Sequence, residues 1–148
     1  MAATVGHELS LRLFPAGPPI RDAAHLTLLA DLRAYISPSL RWATEVPLPI
    51  PGDPRAWDAL IGGSRFRVGV EAETRLRDVQ AVTRRAALKK RDSKVERMIL
   101  LLRDSRWNRQ IVRLAGDSLA GLFPIPGSAA LDALRAGRDP GGDVLILL

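Results

Sequence analysis

The feature that most constrains the fold is a strictly alternating segment, SRFRVGVEAET, at residues 64–74. Apolar side chains occupy every second position from Phe66 to Val70, and polar residues or glycine lie between them. A two-residue period is the period of a β-strand with one face against a core. Glu71 and Glu73, two positions apart, are therefore predicted to project together from the face opposite the apolar residues.

The segments around this strand are predicted to include both helices and strands. Helical patterns fall at residues 22–35, 76–92 and 106–115, with a further helical piece at 128–137. Strand-like patterns fall at residues 8–14, 40–48, 54–63 and 94–103, and a last apolar stretch covers 143–148. The order helix, three strands, helix, strand predicts an α/β domain with a mixed central sheet and flanking helices, because a helix between strands permits a parallel crossover.

Chain length and composition are consistent with one domain. The 148 residues, 47% of them hydrophobic, are enough to bury a core, which we place at residues 22–115 with tail elements at 116–148. The absence of cysteine excludes disulfides and cysteine-ligated zinc and fits a reducing compartment. We find no apolar run of bilayer-spanning length and no secretory leader, so we expect a cytoplasmic protein without membrane association.

The formal net charge of the chain is +6, and nearly all of its positive charge is arginine. Arginine presents a planar fork of donors that matches phosphate oxygens in pairs. This composition favours a polyanion as partner, and DNA is the partner that we predict. A solvated arginine-rich surface with no partner is the alternative that composition alone leaves open.

An acidic constellation is predicted around the alternating strand. Residues 54–63 and 64–74 form a hairpin if the chain turns at Gly62, Gly63 and Ser64, and Asp58 then lies near the level of Val68 to Glu71. A carboxylate pair on an interior strand needs a neutralising partner, and hard cations prefer oxygen ligands. The sequence therefore predicts a Mg²⁺ or Mn²⁺ site at Asp58, Glu71 and Glu73. The alternative is that the two glutamates lie on a solvated sheet face and pair with nearby arginines.

This pattern resembles the PD-(D/E)XK nucleases, the restriction-endonuclease-like superfamily, over residues 22–115. The family core has the order α-β-β-β-α-β, its first acid matches Asp58, and its (D/E)-x-K motif matches Glu71-Ala72-Glu73. Glu73 stands where the family commonly has lysine. Gln80 matches a glutamine that some branches place early in the next helix, and Glu45 is a candidate for an additional acid. The resemblance implies a magnesium-dependent nuclease with Asp58, Glu71, Glu73 and Gln80 as catalytic residues.

A second resemblance covers residues 45–61 and 68–92, which are similar to the C-terminal portion of actinobacterial-type helix-turn-helix transcriptional regulators. In that group the domain follows a DNA-reading module, and residues 1–21 are too few to hold one. The alternative to an active nuclease is a catalytically silent, nuclease-fold module that binds DNA or a protein in a regulatory or defence system, and the lysine missing at Glu73 favours silence. A homodimer and a protein partner that carries the DNA-reading module are both compatible with it.

The predicted helix after Glu73 is strongly basic. Its cations are predicted to hold DNA phosphates beside the acidic site. They are Arg77, Arg84, Arg85, Lys89, Lys90 and Arg91. A solvated helix face is the alternative, because arginine and lysine are also good helix formers. His7 and His25 are the two histidines, both distant in sequence from the acids, and His25 is interpreted as a helix-packing residue.

Overall fold

The structure is a computed structural model that describes residues 19–148, with side chains from residue 23 onward. The strand predicted at residues 8–14 lies outside the described residues. The helices are α1 (Pro19–Tyr35), α2 (Val79–Ser93), α3 (Arg106–Leu122) and α4 (Gly127–Arg135). The strands are β1 (Arg41–Pro47), β2 (Ala56–Gly62), β3 (Arg67–Glu73), β4 (Arg97–Leu102) and β5 (Val144–Leu147).

The five strands form one mixed sheet in the order β1-β2-β3-β4-β5. The first three strands are antiparallel neighbours, and β4 and β5 then run parallel to β3. Helix α2 makes the crossover from β3 to β4, and helices α3 and α4 together make the crossover from β4 to β5. The predicted mixed α/β sheet is therefore confirmed, and the tail of the chain completes it with β5.

Helices cover both faces of the sheet, and each face has its own apolar core. On one face, side chains of α1 and α4 pack on Val68 and Val70 of β3. On the other face, side chains of α2 and α3 pack on Leu100 and Leu102 of β4. The alternation of β3 thus separates two helical layers, which places Glu71 on the side of α2 and α3. No helix within residues 19–148 is both long and apolar enough to cross a membrane.

Two helix boundaries differ from those that the sequence predicts. Helix α2 begins at Val79 rather than at residue 76, because the Asp78 side chain accepts the backbone N–H of Ala81 and caps it there. Helix α3 continues to Leu122 rather than ending at residue 115. Its backbone is kinked at Gly116, with φ 3° and ψ −92°, and this kink interrupts the apolar period that sequence reasoning follows.

Candidate functional site

The site lies at the end of the sheet where β2 begins and β3 ends, and a local break in the alternation of β2 sets its geometry. Trp57 packs in the core beside α2, whereas Ala59 and Ile61 pack in the core beside α1, so the alternation breaks at Asp58. Glu45, opposite Asp58 on β1, has a φ of 49° and is left out of the strand pairing. Asp58 is left out of the pairing as well, and the register of β1 with β2 is the same on either side of the two residues, so the break is local and redirects the Asp58 side chain.

The redirected Asp58 carboxylate contacts α1 and the end of β3. Its Oδ2 accepts the backbone N–H of Ala72 at 2.8 Å, which confirms that Asp58 lies at the level of Glu71 in the hairpin. Its Oδ1 lies 3.5 Å from Nε2 of His25 in α1. Burial raises the pKa of Asp58, but the bonds from His25 and Ala72 outweigh burial, so its pKa lies below the usual value. The carboxylate of Asp58 raises the pKa of His25.

Glu71 is buried on the opposite face of the sheet, where two cations of α2 hold it. Arg85 Nε donates to Oε1 at 2.8 Å and Lys89 Nζ donates to Oε2 at 2.7 Å. The side chains of Glu71 and Lys89 are only 4% and 8% exposed. The ammonium of Lys89 also donates to the carbonyl oxygen of Ala56 at 2.7 Å. Both oxygens of the Glu71 carboxylate are therefore engaged by charges of the same chain.

Glu73 completes the acidic group at the more exposed end of β3. Its Oε1 accepts from Nη2 of Arg85 at 2.6 Å, so one arginine bridges the two glutamates. Within the described residues, no set of three or more His, Asp or Glu side chains is arranged to hold a metal ion. Asp58 contacts α1 while Glu71 contacts α2. The three acids therefore lie at the same end of the sheet, with Asp58 on one face and the two glutamates on the other.

An open cleft of about 490 Å³ begins beside this acidic group. It is lined by His25, Glu73, Thr74, Arg75, Arg77, Asp78, Ala81, Val82 and Arg85. Three arginines and one histidine face two acids there, so the lining carries net positive charge. The cleft joins the end of β3, the first turn of α2 and the N-terminal half of α1.

The connection from β3 to α2 is fixed by the first turn of α3. Asn108 is fully buried, its Oδ1 accepts the backbone N–H of Leu76 at 2.8 Å, and its Nδ2 donates to the carbonyl oxygen of Thr74 at 3.1 Å. Trp107 Nε1 donates to the carbonyl oxygen of Leu76 at 2.7 Å. Leu76 is buried while Arg75 and Arg77 on either side are exposed. The loop therefore presents two arginines toward the cleft on a fixed backbone.

The remaining residues predicted for DNA binding or catalysis lie in different surroundings. Gln80 and Arg84 are exposed on another flank of α2 and line a shallow depression away from the acids. Lys90 pairs with Asp143 at 2.8 Å, and Arg91 pairs with its neighbour Asp92. Of the six predicted DNA-binding cations, only Arg77 and Arg85 line the cleft.

Glu45, the candidate additional acid, lies beside Asp58. Together with His25, Leu26, Leu29 and Thr44, these two acids line a smaller cavity of about 340 Å³ between α1 and β1. The structure thus brings Glu45 close to Asp58, at the end of the sheet where β2 begins. His25 lines both this cavity and the larger cleft.

Sequence reasoning missed two residues that organise this region, His25 and Asn108. His25 lies four residues before Leu29 and seven before Leu32, both buried, so the helical period places it on the inner side of α1. Asn108 follows Ser105, whose side chain accepts the backbone N–H of Asn108 and caps α3. That capping pattern was a sequence signal for an ordered helix start, but nothing in it indicates the contact with Leu76.

Comparisons of the chain with protein-family models, with curated proteins and with solved structures yield no match. The geometry of the site therefore carries the functional argument.

Proposed function

We propose that this chain is a DNA-binding domain of the restriction-endonuclease-like class. Its acidic cluster, Asp58, Glu71 and Glu73, is neutralised by cationic side chains of the same chain. The observation that carries this proposal is the double engagement of Glu71 by Arg85 and Lys89, at 2.8 and 2.7 Å. A buried carboxylate with two charge-assisted hydrogen bonds needs no further cation. Glu71 and Glu73 then serve to hold α2 against the sheet, and the basic cleft binds DNA.

The element order supports the proposed fold class. Helix α1, the antiparallel strands β1 to β3, helix α2 and the parallel strand β4 follow the α-β-β-β-α-β order that the resemblance implies. Asp58 in β2 and Glu71 with Glu73 in β3 occupy the positions expected for the acids of that class.

The charge of the cleft supports the proposed ligand. Arg75 and Arg77 are exposed, and among the side chains of residues 23–148 neither has a carboxylate within ion-pair distance. Arginines that are not committed to acids have their donors available for phosphate oxygens. Contacts of this kind position a protein on the DNA backbone without reading its sequence.

A second candidate function is a magnesium- or manganese-dependent phosphodiesterase, as the resemblance implies. One observation favours it: the buried ammonium of Lys89 reaches Glu71 from α2, so a lysine is present at the acids although Glu73 replaces the one expected on the strand. The residues as arranged do not fit a metal, because both Glu71 oxygens already bind cations. This function would require Arg85 to release Glu71.

Salt-dependent DNA binding tests the leading proposal. The fluorescence anisotropy of a labelled oligonucleotide is measured across a series of salt concentrations, in the presence of a chelator, for the wild type and for Arg77→Glu. We expect binding that weakens steeply with salt, and a log–log slope that Arg77→Glu reduces by about 0.9 for duplex DNA. The matched control is Arg113→Glu, an exposed arginine of α3 outside the cleft. Equal slopes for both variants, or no binding by the wild type, would refute the proposal.

A further inference from the structure

The loop between β3 and α2 carries a second feature besides its charge, a guanidinium stacked on an aromatic ring. We propose that Arg75 is a stacking surface for an unpaired base, so that the cleft prefers single-stranded nucleic acid to duplex. Arg77 holds an adjacent phosphate in this arrangement. The inference rests on the proposed function and names its ligand class.

Arg75 is held by an indole rather than by an acid. Its guanidinium carbon lies 4.0 Å from the centroid of the Trp107 ring, the geometry of a cation–π contact. Trp107 is 40% exposed, and its indole N–H is fixed by the carbonyl oxygen of Leu76 at 2.7 Å. The guanidinium therefore lies over the Trp107 ring, while Arg75 itself lines the cleft.

Arg85 also lines the cleft, but it is held by acids rather than by an aromatic ring. Its donors bind Glu71 and Glu73, so its orientation is set by acids and its charge is compensated. Within the described part of the chain, Arg75 has no acid in ion-pair range, and stacking sets its orientation without using its N–H donors. It can offer both a planar face and an uncompensated charge to a ligand.

The backbone under Arg75 is fixed before any ligand binds. Asn108 holds Thr74 and Leu76 on either side of it, and its Nδ2 also donates to the carbonyl oxygen of Arg103 at 2.8 Å. A binding group that is already ordered loses less conformational entropy on binding. The stacked arginine is thus preorganised in a way that a freely rotating surface arginine is not.

The geometry selects unpaired bases because paired bases have their faces covered. In a duplex each base stacks between its neighbours, so its face is closed to the guanidinium of Arg75, which then meets the phosphate backbone. In a single strand the bases can turn out and stack on aromatic rings or on arginine planes. The stacking contribution applies only to the single strand, whereas the charge of Arg75 and Arg77 acts on both forms.

The test compares one labelled single strand with the duplex of the same sequence, in wild type, Arg75→Lys and Arg113→Lys. Lysine keeps the charge and removes the plane. We expect wild type to favour the single strand, and Arg75→Lys to weaken single-strand binding by about 5- to 100-fold while changing duplex binding little. Arg113→Lys, on an exposed arginine of α3 outside the cleft, should change neither.

Variants of Trp107 test the stacking of Arg75 without changing Arg75 itself. Trp107→Ala should reproduce the loss of single-strand preference, and Trp107→Phe, which keeps a ring under the guanidinium, should restore part of it. Equal wild-type affinity for single strand and duplex, or an equal loss on both in Arg75→Lys, overturns the inference and leaves backbone binding intact. An absence of binding to either form overturns the proposed function as well.

Discussion

The acidic cluster is followed directly in sequence by the arginine loop, the connection from β3 to α2 that carries Arg75 and Arg77. The acids are paired with cations of the same chain, whereas the two arginines of the loop are not paired with acids of the described residues. Glu71 is buried and both of its oxygens bind cations of α2. Arg75, four residues later, is exposed and rests on Trp107, with no acid in ion-pair range in the part of the chain described. The acids that the sequence marks as candidate catalytic residues are thus paired with cations of the same chain. The adjacent arginines are available to a ligand.

The largest expected effect comes from breaking the buried pair. Glu71→Gln keeps the shape of the side chain but leaves the Lys89 ammonium buried without its counter-charge, which should cost about 3–5 kcal/mol. Urea denaturation measures this loss. Glu73→Gln is the matched control on the same strand, and it should cost less than about 1 kcal/mol because its pair is partly exposed.

A double variant sharpens this result. Adding Lys89→Met to Glu71→Gln removes the uncompensated charge, so most of the lost stability should return. If the single variant is as stable as the wild type, Glu71 is not held as the distances indicate. If the double variant is no better than the single one, the buried charge is not the cause of the loss.

A smaller effect is expected from releasing the arginine loop. Asn108→Ala leaves the buried N–H of Leu76 without its acceptor, which should cost about 1–3 kcal/mol. Amide hydrogen exchange at Leu76 should rise more than exchange within β3. Gln110→Ala, at an exposed position of the same helix, should stay within about 0.5 kcal/mol of wild type. An unchanged exchange rate at Leu76 would mean that Asn108 does not clamp the loop.

The contact between His25 and Asp58 predicts a modest pH dependence. The pKa of His25 is raised above its ordinary 6.5 in the folded protein, and that of Asp58 is lowered, so Asp58 stays ionised while His25 titrates. The pair therefore contributes stability below about pH 6.5 and loses it as pH rises through the raised pKa of His25.

Replacement of the histidine measures that contribution. The free energy of unfolding of wild type should exceed that of His25→Gln by less than about 1 kcal/mol in acid, because the pair is only partly buried. The difference should shrink over the range in which the pH rises from about 6.5 through the raised pKa of His25. A difference that is constant over this range, or that grows with pH, would contradict the ion pair.

The sheet was largely predictable from the sequence because alternation in β3 is strict and one turn separates it from β2. The period placed Val68 and Val70 on one face and Glu71 on the other, as the structure has them. The break in alternation at Asp58 was not predictable, since it depends on the backbone of Glu45 on the neighbouring strand, which has a φ of 49°. Strand alternation therefore located the level of Asp58 in the hairpin but not the helix that its carboxylate contacts.

The partners of Glu71 were foreseeable only in part. Arg85 and Lys89 are four residues apart in α2, so the helical period places them on one flank. Lys89 also lies three residues after the buried Ala86, which places it near the core side of the helix. The sequence does not give the position of α2 over β3, and that packing is what turns a predicted DNA-binding lysine into the counter-charge of Glu71.

Thermal unfolding with and without a divalent cation tests the central claim most directly. If Arg85 and Lys89 neutralise the two glutamates and His25 pairs with Asp58, the melting temperature in millimolar Mn²⁺ or Mg²⁺ should equal that in a chelator, both for wild type and for Asp58→Asn. A ligand that binds only the folded state raises the melting temperature, because it stabilises that state by RT ln(1 + c/Kd), where c is the free ligand concentration. A cation-dependent rise in wild type that Asp58→Asn abolishes would show that the acids hold a metal, and would favour the phosphodiesterase over the metal-free DNA-binding domain.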